Sequence, residues 1–194
     1  MQDKNWFKEC LTNKELVSKL EKIKLVITDI DGALTDGHMY LTPDRKDPIT
    51  KKFSIQDGFL INRSIKNGLL KIAFLSGRND HVTKLRADIL EIPEDMCLIG
   101  FNHKADKVKL LQERAGVSLQ ETIMFGDDIV DYNVKDLVGL FVSLQNAPFY
   151  IQHSAGLVIP KTSEENAFRL LLDLVLYVQK KHLVQDLITE SLES

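Results

Sequence analysis

From residue 23 onward the chain alternates short, unbroken apolar runs with longer stretches whose apolar residues recur every three or four positions. The unbroken runs at 24–28, 70–75, 96–99, 122–125, 140–143 and 157–159 predict strands buried on both faces. The periodic stretches at 59–66, 80–90, 104–115, 129–136 and 163–179 predict helices. Asn67-Gly68 and Gly116 suit left-handed helix ends, and Ser163 suits an N-cap. A lead-in helix over 13–22 carries Leu16, Val17 and Leu20 on one face. Residues 39–41 and 49–55 read as two strands joined by a turn-rich segment at 42–48, a β-hairpin. Strands alternating with helices predict an α/β fold: a Rossmann-like parallel sheet with helices on both faces and a hairpin flap. No repeat or flexible linker divides the chain. We therefore expect a single domain over 1–194, with its core over about residues 23–178 and a polar, partly disordered tail at 180–194.

Composition narrows the partners. Apolar residues at 44% and charged residues at 27% fit a folded globular chain and exclude disordered and fibrous classes. A net charge of −3 offers no electrostatic footprint for nucleic acid or a membrane surface. Cys10 and Cys97 make no disulfide framework, and the five histidines show no zinc-ligand spacing. Without a secretory leader or an apolar run long enough to span a bilayer, a cytoplasmic, reduced protein is expected.

In an open parallel sheet, ligands bind beyond the carboxyl ends of the strands, so chemistry is expected at those ends. The first runs into Asp29-Ile30-Asp31-Gly32. In extended backbone two residues apart share a side, so Asp29 and Asp31 converge. Such like charges need a cation or a shared proton, which a turn or capping aspartate does not explain for both. The second end, Ser76-Gly77-Arg78, offers a hydroxyl, a flexible backbone and a guanidinium, suited to an anion such as phosphate; alone it is also an ordinary turn. After the third, Lys104 opens a helix where the helix dipole disfavours a cation; taken singly, a solvated lysine is the commoner explanation. The fourth end, Gly126-Asp127-Asp128-Ile129-Val130-Asp131, carries more acid than a helix cap requires, and hard oxygens from separate strand ends suit Mg²⁺. Its D-D-x-x-D spacing also occurs on all-helical diphosphate-binding folds, but here it follows a strand.

Taken together, Asp29-x-Asp31-Gly32, Ser76, Lys104 and Gly126-Asp127-Asp128-x-x-Asp131 resemble the four motifs of the haloacid dehalogenase superfamily of phosphatases. The strings Asp29 to Gly37, Phe53 to Gly58 and Ser76-Gly77-Arg78 are most similar to its branch acting on 3-deoxy-D-manno-octulosonate 8-phosphate and related 2-keto-3-deoxy sugar acids. The resemblance implies Asp29 as nucleophile forming an aspartyl-phosphate, and Asp31 as the acid and base for leaving group and water. It implies Ser76 and Lys104 as holders of the transferring oxygens. Mg²⁺ would sit on Asp29, the backbone carbonyl of Asp31 and Asp127, with Asp128 as a further or supporting ligand and Asp131 supporting the helix start. Asp57, Gly77 and Arg78 become substrate-binding candidates, with Arg63 and Lys66 weaker ones.

Spacing bears on access. The 45 positions from Asp31 to Ser76 and the 28 from Ser76 to Lys104 are filled by predicted elements, leaving no room for a cap domain. The branch closes its bare sites by forming tetramers whose hairpins pack together, so a homotetramer through the hairpin from Gly37 to Ser54 is implied. The basic stretch with Arg45, Lys46, Lys51 and Lys52 reads mainly as a solvated, edge-protecting hairpin tip, and secondarily as an attractor of a sugar-acid phosphate.

Two departures bear on the sugar. The branch's Gly-rich segment before the last helix is replaced by Pro160 to Ala167, and Leu60 is bulkier than the small residue usual there. A nine-carbon keto sugar acid 9-phosphate or another sugar phosphate is therefore an alternative substrate. A receiver-like phospho-acceptor or an inactive paralogue is a more distant alternative, since the acid two positions past the nucleophile serves turnover.

Overall fold

The structure is a computed structural model describing residues 2–39 and 50–193. Two helices, α1 (Gln2–Thr12) and α2 (Lys14–Leu20), precede β1 (Leu25–Thr28). After the undescribed segment come α3 (Ile55–Lys66), β2 (Lys71–Ser76), α4 (His81–Leu90), β3 (Cys97–Ile99), α5 (Ala105–Ala115) and β4 (Thr122–Phe125). The chain continues through α6 (Ile129–Tyr132), β5 (Leu140–Leu144), α7 (Phe149–Ser154), β6 (Leu157–Ile159), α8 (Ala167–Val178) and α9 (Gln185–Glu193).

The six strands form one all-parallel sheet in the order β3-β2-β1-β4-β5-β6, the predicted Rossmann-like α/β architecture. Every residue of β1, β4 and β5 is buried, as a sheet covered by helices on both faces requires. The order reverses at β1, between β2 and β4. Thr28 pairs with Phe74 on one side and Phe125 on the other. This register brings the ends of β1, β2 and β4 side by side, with Asp29, Ser76 and Gly126 emerging at the same edge.

Several boundaries differ from the sequence expectation. Helix α3 starts at Ile55 rather than at 59, because Ser54 caps it by accepting the Asp57 N–H at 3.1 Å. Ile55 is 86% exposed, so the apolar period gave no sign of this first turn. The strand expected over 49–55 is reduced to a single antiparallel bridge between Phe53 and Thr35, and the rest of the expected hairpin lies largely outside the described residues. The long helix expected from 163 to 179 is broken. Thr162 and Glu165 close a capping box around one 3-10 turn, Asn166 turns left-handed at φ 65°, and α8 begins at Ala167. Ser163 is therefore no N-cap; its buried N–H donates to Asn146 Oδ1 at 3.0 Å. The tail expected to be partly disordered carries α9, held by the Tyr177 to Thr189 hydroxyl contact and by Ile188 and Leu192 against the core. The predicted helix over 129–136 divides into α6 and a 3-10 turn at Lys135–Leu137. No described helix is long and apolar enough to cross a membrane.

Candidate active site

At the end of β1 the chain turns sharply through Gly32, which has φ 93°. The Thr35 hydroxyl organises that turn, donating to the Ile30 carbonyl (3.2 Å) and accepting from the Gly32 and Gly37 N–H groups. Asn146 Nδ2 donates to the Gly32 carbonyl from the far side. A Cβ on Gly32 would lie 2.2 Å from Asp127 Oδ2, so only glycine lets the β4 loop close against this turn. Gly126 plays the same part for Asp131, whose Cβ would be 2.3 Å from an added Cβ.

This close packing gathers three carboxylates. Oxygens of Asp29, Asp127 and Asp131 lie within 4.8 Å of one another. Lys104, with its side chain fully buried, spans Asp29 Oδ1 (2.5 Å) and Asp131 Oδ1 (2.6 Å), which explains a lysine at a helix start. Asp131 Oδ2 accepts from the Asp127 and Asp128 backbone N–H groups, supporting the helix start as expected. Burial and the neighbouring Asp131 push Asp29 up to about 8, against the pull of Lys104. Burial, with Asp131 and Asp128 nearby, pushes Asp127 up to about 7. Burial likewise raises Asp131. Burial alone would lower the Lys104 ammonium, but Asp29 and Asp131 outweigh it and hold it above its ordinary value. Asp127 Oδ1 is buried without a hydrogen-bond partner among the described residues. An orphaned oxygen beside uncompensated carboxylates fits a hard divalent cation held by oxygen ligands.

Asp128 does not join this cluster. Its side chain is exposed and caps α6, accepting the Ile129 N–H at 2.7 Å. Asp131 takes the third place instead, because one helical turn carries it back over the β4 end. Asp31 faces the other side of the cleft. Its Oδ2 lies 3.4 Å from Ser76 Oγ and 3.7 Å from Arg78 Nε. Asp29, Asp31, Ser76, Gly77, Arg78 and Asp127 thus line one cleft of about 290 Å³ at the strand ends, with Asp128 lining it outside the carboxylate cluster.

The haloacid dehalogenase-like hydrolase family model matches residues 98–171. The 3-deoxy-D-manno-octulosonate 8-phosphate phosphatase KdsC of Haemophilus influenzae is 33% identical over 168 residues, covering 87% of this chain and 91% of its own. The chain belongs to the haloacid dehalogenase-like hydrolases. Within them it is a phosphoric monoester hydrolase, an assignment shared by KdsC of Escherichia coli K12 at 28% identity over 86% of each chain. The cobalt-bound structure of the H. influenzae phosphatase superposes with a TM-score of 0.78 at 32% identity, covering 84% of this chain and 92% of its own. The Moraxella catarrhalis phosphatase, solved with magnesium, phosphate and a KDO molecule, gives a TM-score of 0.81 at 25% identity, covering 92% and 98%.

Not every sequence candidate reaches the cleft of this hydrolase. Asp57 is buried in α3, where its Oδ1 accepts the Arg169 N–H at 2.7 Å. It caps α8 from a neighbouring helix, a role Asn166 cannot fill in its left-handed conformation. Arg63 stacks on Phe59, and Lys66 pairs with Glu91 at 2.7 Å. Leu60 packs into the core. Gly77 does line the cleft, and a Cβ there would meet Asn102 Oδ1 at 2.6 Å. Sequence reasoning missed Asn102, which lines the cleft, and Asn146, which ties Gly32 to Ser163. It also placed Lys51 in a solvated tip; the side chain is buried against Asp31 and Asp80.

Proposed function

We propose that this hydrolase is a Mg²⁺-dependent phosphatase that removes the phosphate of 3-deoxy-D-manno-octulosonate 8-phosphate through an aspartyl-phosphate on Asp29. The observation that carries the reading is the buried Lys104 bridge, which fixes Asp29 in the acidic cluster while Asp31 faces it across the cleft. Similarity to KdsC over nearly the whole chain supports the substrate class. Asp29 attacks phosphorus, forming an Oδ–P bond as the bond to the sugar oxygen breaks, and Asp31 delivers a proton to that oxygen. Asp31 then takes a proton from water as the water oxygen bonds to phosphorus and the Asp29 Oδ–P bond breaks. Ser76 and Lys104 hold the transferring oxygens, and the half-exposed Arg78 takes the carboxylate or phosphate of the substrate. Mg²⁺ would be held by Asp29, the Asp31 carbonyl and Asp127, with Asp131 supporting from the Lys104 side. Its chemistry there, when bound, is to neutralise charge between nucleophile and phosphate.

With no cap domain among the described residues, the cleft is closed in this reading by further copies of the chain in a cytoplasmic homotetramer. Exposed Ile55 and Phe59, just beyond the flap segment, support such a contact. Sedimentation should show an oligomer, and a monomer at assay concentration would refute the closure. Phosphate release over a panel of eight- and nine-carbon keto sugar acid phosphates tests the activity. The eight-carbon substrate should be turned over fastest, and Asp29→Asn should abolish release while leaving the fold intact. Preference for a nine-carbon 9-phosphate would move the substrate, and near wild-type turnover by Asp29→Asn would overturn the mechanism.

A further inference from the structure

Lys51 departs furthest from its sequence expectation. An exposed hairpin-tip lysine costs nothing, whereas a buried ammonium persists only when paired. Its side chain is 2% exposed. The ammonium lies 2.9 Å from Asp31 Oδ1 and 3.1 Å from Oδ2, 2.7 Å from Asp80 Oδ2 and 3.0 Å from Thr83 Oγ1. An ammonium has three donors, and these three residues use them all, so none is left for a substrate.

The anchor behind Lys51 is rigid. Asp80 is the N-cap of α4: its Oδ1 accepts the Thr83 N–H at 2.8 Å, and its Oδ2 accepts the Thr83 hydroxyl at 3.2 Å. Two residues beyond Lys51, Phe53 bridges to Thr35, whose hydroxyl organises the turn that carries Asp31. Lys51 is therefore tied to the Asp31 turn at one end and to the start of a ten-residue helix at the other. Arg78 makes the contrast: its side chain is 35% exposed in the same cleft, 3.7 Å from Asp31, and beyond its Nη1 contact to Met39 Sδ the guanidinium keeps donors for a ligand.

We propose that Lys51 is a positioning residue for Asp31, tying that carboxylate to the α4 N-terminus and holding it toward the cleft for both proton transfers. The inference rests on the phosphatase reading of Asp29 and Asp31. Lys51 exchanges no proton and touches no substrate in either step. Its whole effect passes through Asp31.

A double-mutant cycle on the full chain with Mg²⁺ tests this, using the eight-carbon sugar acid phosphate and p-nitrophenyl phosphate as probes. Lys51→Met should lower kcat about tenfold or more with KM within about threefold, and Lys51→Arg should recover part of the loss. In an Asp31→Asn background the same Lys51→Met change should cost less than about twofold, because the group it serves is already gone. Equal losses in both backgrounds, an unchanged kcat, or a raised KM with kcat intact would each overturn the proposal. If Lys51→Met does not fold, Asp80→Asn enters the cycle instead. It keeps an N-cap oxygen while removing the charge that anchors Lys51, and should lower kcat about threefold or more only when Asp31 is present. Wild-type protein that hydrolyses neither probe would overturn the phosphatase reading itself, and this inference with it.

Discussion

Asp57 is the most direct test of where structure and substrate binding part company. Burial pushes its carboxyl up to about 6, against the stabilising Arg169 N–H, from its ordinary value of 3.8. The folded state therefore binds the proton more tightly than the unfolded one. A raised carboxylate lowers stability as pH climbs from the unfolded value through the folded one, and the cost is complete above it. Linkage at 1.36 kcal/mol per unit gives a cost of about 3 kcal/mol once the group is fully ionised, of which about 2 kcal/mol develops between about pH 4.5 and about pH 7.5. Asp57→Asn keeps an oxygen for the Arg169 N–H and removes the titration. Its other terminal group meets a site where Asp57 Oδ2 has no partner among the described residues, a penalty that does not vary with pH. The stability of the variant minus that of the wild type should therefore rise by about 2 kcal/mol across that range, whatever its sign at either end. Urea unfolding of both proteins at several pH values measures it, with chelator present so that the acidic cluster is in the same state throughout. A difference that stays flat with pH would refute the burial argument. A large KM increase with unchanged pH dependence would return Asp57 to the substrate.

Three further outcomes follow from the site. At about 100 times its dissociation constant, Mg²⁺ should stabilise the fold by about 2.7 kcal/mol, or roughly 5–10 °C in thermal midpoint for a chain this size. Asp127→Asn should lose that shift and Asp128→Asn keep it; the reverse pattern in thermal melts would put Asp128 on the metal. Arg78→Met should raise KM by about tenfold or more, the scale of one lost charge-assisted hydrogen bond, with a smaller effect on kcat. Steady-state kinetics showing kcat alone reduced would take Arg78 off the substrate. Gly32→Ala puts a Cβ 2.2 Å from Asp127 Oδ2 on a backbone at φ 93°. It should abolish the Mg²⁺ thermal shift, and an unchanged shift would show that the turn can yield.

The sheet was legible because each strand is a short, largely apolar run, and the run lengths survive almost unchanged from sequence to structure. Motif residues at strand ends were legible for the same reason: register fixes where a strand ends. The errors lie where a contact between distant residues decides. Ser54 starts α3 against the apolar period, and the Asn166 turn ahead of α8 is matched by a cap from Asp57 to the N–H of Arg169, 112 positions away. Asp131 outranks Asp128 because a cap geometry, not residue type, decides which aspartate turns inward. Lys51 was beyond reach for the same reason. Its partners lie 20, 29 and 32 positions along the chain, and a basic hairpin segment usually points to water.

The two buried lysines divide the charge of the cleft. Lys104 lies between Asp29 and Asp131, Lys51 between Asp31 and Asp80. The two members of the Asp-x-Asp pair are therefore held by different cations on different walls, which resolves the like-charge conflict that their spacing posed. With all groups ionised, Asp29, Asp127 and Asp131 against Lys104 leave −2 on one wall, the charge a single divalent cation cancels. On the other wall Asp31 and Asp80 against Lys51 leave −1, and Arg78 at 3.7 Å cancels it. Once the cation is bound, the two walls balance and only the exposed Asp128 at the cleft's rim adds a negative charge, so an incoming phosphate meets little net repulsion. A lysine lost from either wall upsets this balance on that wall alone. That is why Lys104 and Lys51, similar in burial and partners, should differ in consequence: the first bears on metal and nucleophile, the second on Asp31.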